Sequence, residues 1–160
     1  MKTITRLVIT TLLVSSFLVA GQAGAGDYGK QKVVYHINYD NPKQQAGALR
    51  NIQNHINAVG AENLDLKVVL HGNGLALLLE PDSLDKLKKF KHANADDKMT
   101  AKVTDLKGQG VDFHVCANTV RGRKVDVETD LYDVSKDDIV PSGVAEVAKL
   151  QAMGYSYIKP

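Results

Sequence analysis

The residue best suited to chemistry in this sequence is Cys116, because it is the single cysteine among 160 residues. It ends a strand-like run within residues 111–118. The polar and apolar side chains of that run alternate between two strand faces: Asp112, His114 and Cys116 on one, and Val111, Phe113 and Val115 on the other. A lone thiol has three fates: it is buried and inert, it pairs with another chain, or it is reactive as the thiolate. The spacing leaves these three open.

The residues after Cys116 favour the thiolate. A helix or turn that starts at Ala117 or Asn118 would aim backbone N–H groups at the sulfur, and such donors stabilise thiolate over thiol. The basic cluster at residues 121–124 would add positive charge if the chain folds back, although such a cluster is more often a solvated loop.

Three histidines lie in or directly after the predicted strands, namely His36, His71 and His114. One hypothesis makes Cys116 a nucleophile with His71 as its base, but the sequence does not rank the three. A zinc or copper site is the alternative. Their spacing matches no paired-ligand signature, so we predict no metal and no cofactor.

Asparagines and glycines also follow strand ends. Asn38 comes after the first strand, residues 71–74 (His-Gly-Asn-Gly) follow the second, and Asn118 follows Cys116. The glycines lack the spacing of a phosphate loop, so we interpret them as a turn. We predict that His71, Asn73, Asn118 and Asn38 line a substrate pocket around Cys116.

Hydrophobic periodicity alternates between strand and helix along the chain. Strands are predicted at residues 32–39, 64–70, 111–116, 138–140 and 155–158. Helices are predicted from Asn41 as N-cap to Gly60, in a broken pair across residues 75–90, before Gly108, and around residues 144–150. Residues 118–134 are interpreted as loop with a short helix. The order predicts a flavodoxin-like three-layer αβα sandwich on a mostly parallel five-stranded sheet. In the flavodoxin strand order the first strand lies between the second and third, and ligands bind at the carboxyl ends of the strands.

The first 25 residues have the pattern of a signal peptide. Lys2 and Arg6 precede an apolar run, and Ala23-Gly24-Ala25 forms a cleavage site, so residues 26–160 are predicted to form one exported, periplasmic domain. The whole chain has 20 Lys and Arg against 18 Asp and Glu; without the segment both total 18. A neutral domain argues against nucleic acid and anionic membrane as partners.

Four stretches together resemble the DsrE/DsrF-like family: residues 32–39 (KVVYHINY), 68–74 (VVLHGNG), 113–119 (FHVCANT) and 138–146 (DIVPSGVAE). The resemblance is greatest to the exported branch of that family. It implies a flavodoxin-like sandwich that assembles as trimers or hexamers. It also implies that Cys116 occupies the position at which sulfur-relay members carry persulfide sulfur.

From this we expect a periplasmic protein that binds or relays sulfane sulfur on Cys116, with a donor or acceptor protein or a small thiol as partner. Its activity is at most that of a sulfurtransferase, because one cysteine does not suffice for a self-contained disulfide oxidoreductase. The alternative is a non-enzymatic module that binds a small ligand or a protein and leaves Cys116 inert.

Overall fold

The structure is a computed structural model that describes residues 28–160. Five strands, β1 to β5, form its sheet: Gln31–Ile37, Leu64–Leu70, Asp112–Cys116, Ile139–Val140 and Ser156–Ile158. Five α-helices, α1 to α5, accompany them: Pro42–Val59, Asp97–Gly108, Ala117–Arg123, Val127–Asp130 and Gly143–Ala152. The predicted signal peptide lies outside the described residues.

All five strands are parallel and lie in the order β4-β3-β2-β1-β5. The predicted three-layer sandwich is therefore confirmed, but the flavodoxin strand order is wrong. The second strand, not the first, lies between its two sequence neighbours, so β1 and β3 do not touch. The chain adds strands in one direction from β1 to β4 and then crosses to the far side of β1, which places the reversal of strand order between β1 and β5.

This order gives the two faces of the sheet unequal cover. The crossovers from β1 to β4 all run in one direction, and because they are right-handed they lie on one face of the sheet. On that face α1, α2 and the segment at 75–79 pack against the large core. The crossover to β5 runs the other way, so α5 alone covers the second face with a small cluster around Val69, Val147 and Leu150. Polar side chains of the strands occupy the rest of that face.

Local signals account for most of the helices. The Asn41 side chain accepts from the Gln44 amide at 3.0 Å, Pro42 opens α1, and Gly60 ends it with φ 89°. The short α3 starts immediately after Cys116, where loop with a short helix was expected.

The predicted broken helix pair across residues 75–90 is wrong. That segment forms two 3-10 turns, Gly72–Leu77 and Pro81–Ser83, followed by irregular chain as far as α2. Leu75 to Leu79 are fully buried, so they give no helical stripe, and Pro81 interrupts the hydrogen-bond ladder. The Ser83 hydroxyl donates to a carboxylate oxygen of Asp130 at 2.7 Å.

No helix within residues 28–160 is long and apolar enough to cross a membrane.

Candidate functional site around Cys116

Cys116 is the last residue of β3 and the N-cap of α3. Its side chain is on the face that α5 covers, and only 5% of the residue is exposed. Phe113 and Val115 point to the opposite face and join the large core, as the alternation predicted. The strand therefore carries the thiol to the carboxyl edge of the sheet but keeps it beneath the surface.

Two segments aim four hydrogen-bond donors at the sulfur. They are the backbone amides of Asn118 and Thr119 at the start of α3, the Thr119 hydroxyl, and the backbone amide of Gly143 at the start of α5. The thiol side chain does not make a regular capping hydrogen bond to α3. Burial raises the pKa of Cys116, but the donors outweigh burial, and the net pKa of the thiol is below its ordinary value.

The Thr119 hydroxyl is oriented by its own partner. It accepts a hydrogen bond from the Gly72 amide at 2.8 Å, so its hydrogen is free to turn towards Cys116. Gly72 has a positive φ of 56°, which glycine adopts at little cost. The turn after β2 thus helps to place a donor that belongs to α3.

Gly143 lets the walls of the site approach each other. A Cβ added there would be 2.9 Å from the Cβ of His71 and 3.2 Å from the Cβ of Cys116. His71 and Cys116 therefore border the same glycine, one at the end of β2 and the other at the end of β3. Of the three histidines left unranked by the sequence, His71 is the one placed beside the thiol in this way.

The other two histidines differ in their surroundings. The Nε2 atoms of His36 and His71 are 2.6 Å apart, and His36 Nδ1 is 2.8 Å from the Tyr157 hydroxyl. His114 lies against Glu146, with Nδ1 3.3 Å from a carboxylate oxygen but without hydrogen-bond geometry. His36 thus joins the Cys116 neighbourhood through His71, although β1 does not touch β3.

Burial is the main cause of low basicity in the histidine pair. Desolvation lowers the pKa of His36 to about 4, with smaller contributions from the nearby His71 and Lys159. Desolvation also lowers the pKa of His71, again with a contribution from Lys159. Both imidazoles are therefore neutral at neutral pH, and one Nε2 donates to the other.

The predicted pocket asparagines have other partners. The Asn73 side chain accepts from Arg123 Nη2 at 2.6 Å, and the Asn118 side chain accepts from Arg121. Only the backbone amide of Asn118 faces the sulfur. Asn38 follows β1 and is half-buried, with its Cα beside Gly74. The assignment of His71, Asn73, Asn118 and Asn38 to substrate binding stays a prediction.

The basic cluster mostly makes internal contacts. Arg123 stacks over the Phe90 ring at 4.3 Å and donates to the Lys89 carbonyl, so it fastens α3 to the segment before α2. It does not contribute to the lowered pKa of Cys116.

Sequence reasoning missed Thr119, Gly143 and Tyr157 as members of this site. A hydroxyl residue three positions after the thiol, in the first turn of the following helix, was the available signal for Thr119. No local signal pointed to Tyr157, because it is separated from His36 by 121 positions.

A metal centre receives no support from the described residues. No group of three or more His, Cys, Asp or Glu side chains in residues 28–160 has ligand geometry. Two surface grooves lie away from Cys116. One, of about 350 Å³, is between α1 and α2, and the other, of about 460 Å³, is at the amino-terminal ends of the strands.

Comparison with known proteins places these features in context. The model of the DsrE/DsrF-like family matches residues 32–160. A protein of unknown function from Methanobacterium thermoautotrophicum, MTH1491, has a similar solved structure with a TM-score of 0.64 and 27% identity; the match covers 82% of this chain and 100% of that one. No curated protein matches significantly.

Proposed function

This chain belongs to the DsrE/DsrF-like family, which is associated with sulfur relay, and we propose that it carries sulfane sulfur as a persulfide on Cys116. The observation that carries the proposal is the set of donors around the thiol, from Asn118, Thr119 and Gly143, which lowers its pKa. A thiolate is the form that accepts sulfane sulfur from a donor.

The same donors suit the loaded state. A persulfide extends the side chain by one S–S bond of about 2 Å and is anionic at neutral pH. The donors that stabilise the thiolate also stabilise the negative charge of a persulfide on the same residue. Their role is to hold the charged group until a partner thiol attacks it.

Transfer to a partner needs no second cysteine in this chain. An acceptor thiolate attacks the outer sulfur, the S–S bond to Cys116 breaks, and Cys116 leaves as the thiolate that the donors stabilise. The acceptor is a protein cysteine or a small thiol. Trimeric or hexameric assembly, and a periplasmic location after cleavage following Ala25, are part of the proposal.

Intact mass after incubation with polysulfide tests the proposal. Wild-type protein should gain the mass of one or more sulfur atoms, lose it on treatment with a reducing thiol, and show no gain as Cys116→Ser. If folded wild-type protein gains no sulfur, the proposal is wrong.

The burial of Cys116 favours a second candidate, a binding or assembly module with an inert thiol. Only 5% of Cys116 is exposed, and such burial would keep a thiol from reacting in the folded protein. A thiol reagent distinguishes the two functions: a carrier reacts in its native state as the site opens, whereas an inert thiol reacts only after denaturation.

A further inference from the structure

The reversal of strand order between β1 and β5 places a chain of polar side chains next to the thiol site. In open parallel sheets the crevice beside such a reversal, at the carboxyl ends of the strands, is where ligands bind. Here His36 near the end of β1 and Tyr157 on β5 meet across that position, with a 2.8 Å contact between the tyrosine hydroxyl and Nδ1.

The chain continues from His36 towards Cys116. The imidazole of His36 faces that of His71, with their ring centroids 4.7 Å apart and their Nε2 atoms 2.6 Å apart. His71 in turn borders Gly143, which Cys116 also borders. Tyr157 is 40% exposed, so one end of the chain meets solvent and the other meets the buried site.

Stability does not account for this arrangement. Two imidazoles whose charged forms are disfavoured by burial weaken the fold in acid, and apolar side chains of similar size would fill the space without that cost. Buried polar groups that do not stabilise the fold and lie beside a reactive residue are candidates for a role in its reaction.

We propose that Tyr157, His36 and His71 form a proton path between solvent and the Cys116 site. The inference rests on the proposed sulfur-carrier function and adds to it the means by which protons enter and leave a buried pocket. His71 is the acid and base at the thiol end of the path, because it borders Gly143 as Cys116 does, and His36 and Tyr157 act through it as positioning and relay residues.

The transfer step shows why the site needs a proton. The Cys116 thiolate forms a bond to the outer sulfur of a donor persulfide R–S–SH, the S–S bond of the donor breaks, and its electron pair leaves on R–S⁻. The new Cys116 persulfide releases its proton, which the path carries out to solvent, and the persulfide anion is stabilised by the donors from Asn118, Thr119 and Gly143. The leaving group R–S⁻ is then a second anion in the same pocket. It is neutralised when it takes up a proton and leaves as R–SH. No oxidant or reductant enters this balance.

The path supplies that proton by short shifts along the chain. His71 gives the proton on its Nδ1 to the leaving sulfur, and its Nε2 receives the proton from His36 Nε2. Tyr157 then gives its proton to His36 Nδ1 and is reprotonated by water. The shifts from Tyr157 to His36 and from His36 to His71 cross observed contacts, and the reverse sequence carries a proton out.

Loading kinetics in variants test the path. Tyr157→Phe and His36→Ala should reach the same final persulfide content as wild type, but at a rate lower by about ten-fold or more, the lower range of general acid–base contributions. Added imidazole should restore the rate of His36→Ala, which repair of a merely structural defect would not do. Tyr132→Phe is the matched control, because that hydroxyl bonds Thr104 away from the site.

The pH profile of the rate adds a second readout. The titratable groups around the pair are Tyr157, Lys159 and Cys116, while Glu146 of α5 lies against His114. The wild-type rate should depend on pH through the histidine pair, and His36→Ala should lose that dependence. Variants that load at the wild-type rate with an unchanged profile overturn the path and leave the carrier function intact. Failure of wild type to load overturns both.

Discussion

At the scale of single residues, the structure explains Cys116 by its donors rather than by a single base. Thr119 supplies a side-chain donor, its hydroxyl, in addition to its backbone amide. That hydroxyl accepts a hydrogen bond from the Gly72 amide. His71 borders Gly143, as Cys116 does, and His36 contacts His71; we propose that this pair transfers protons. Acidity of the thiol and movement of protons are thus carried by separate groups.

Replacing Thr119 tests the role of its hydroxyl. Thr119→Val keeps the shape, removes the hydroxyl donor to sulfur and leaves the Gly72 amide without its acceptor. We expect the pKa of Cys116 to rise and the free energy of unfolding to fall by about 1 kcal/mol. The ultraviolet absorbance of the thiolate, titrated against pH, measures the first effect.

Two variants serve as controls for this substitution. Thr119→Ser retains the hydroxyl and should restore the low pKa of Cys116. Thr100→Val removes a hydroxyl that bonds only the backbone of α2 and should leave the titration unchanged. An unaltered titration in Thr119→Val would show that the backbone amides alone set the acidity of the thiol.

At the scale of elements, the site depends on how closely the turn after β2 approaches the end of β1. Gly74 is pressed against Ile37, and the buried Gln45 amide of α1 donates to the Gly74 carbonyl at 3.2 Å. Asn94 donates to the Gln45 side chain at 2.7 Å, so the segment before α2 is tied to the same point. These contacts fix the turn from which Gly72 reaches Thr119.

Gly74→Ala should be the most damaging small substitution in this turn. The added Cβ would lie 1.9 Å from the Ile37 carbonyl oxygen, and backbone cannot yield as a flexible side chain does. We expect a loss of about 3 kcal/mol or more in unfolding free energy, measured by urea denaturation. Gly122→Ala, in α3 with nothing near its Cβ, should be neutral or slightly stabilising. Equal effects of the two substitutions would contradict the packing described.

The elements also show how far sequence patterns reach. Local signals are sufficient where they act within one element, as at Asn41, Pro42 and Gly60 around α1. They fail for Leu75 to Leu79, because a segment buried on all sides has no amphipathic period.

Residues around Cys116 likewise divide into those with a local sequence signal and those without one. Cys116 and His71 follow strand ends, which a sequence reveals. Thr119 contacts the turn at Gly72, and Tyr157 lies on β5, which the chain reaches only after crossing from β4 to the far side of β1. Strand order is a property of the complete chain, so partners that depend on it have no local signal.

At the scale of the whole molecule, unequal cover of the sheet explains where the polar groups lie. The face packed by α1 and α2 is apolar throughout its core, whereas the face covered by α5 keeps Asp65, Lys67 and Asp112 as an ion-paired cluster at one end. The histidine pair and Cys116 occupy the other end. The site therefore lies on the thinner side of the molecule.

Acid should weaken the fold through the histidine pair. The pKa of His36 is about 4 in the folded chain against 6.5 as the ordinary value, so below pH 6.5 the unfolded chain binds a proton that the folded chain does not. Stability is thus highest above that pH and falls as pH drops towards 4, with a loss on the order of 2 kcal/mol. Urea midpoints at neutral pH and at about pH 5 measure it.

Two comparisons isolate this effect. His36→Gln should reduce the loss between those pH values, whereas His92→Gln, at an exposed position, should not. The pKa values of Asp65 and Asp130 are lowered despite burial, by hydrogen bonds and by Lys67 and Lys86 respectively, so their contribution is lost only at more acid pH. Stability that stays level from neutral pH to about 5 would contradict the account of the pair.

The most direct test of the central claim follows one sulfur atom onto and off Cys116. Wild-type protein is loaded with polysulfide, freed of excess donor, and divided between buffer and an acceptor thiol, and the peptide that contains Cys116 is weighed in each portion. The account predicts that the peptide keeps its added sulfur in buffer and passes it to the acceptor. No added sulfur on that peptide, or sulfur that the acceptor cannot remove, would contradict the account.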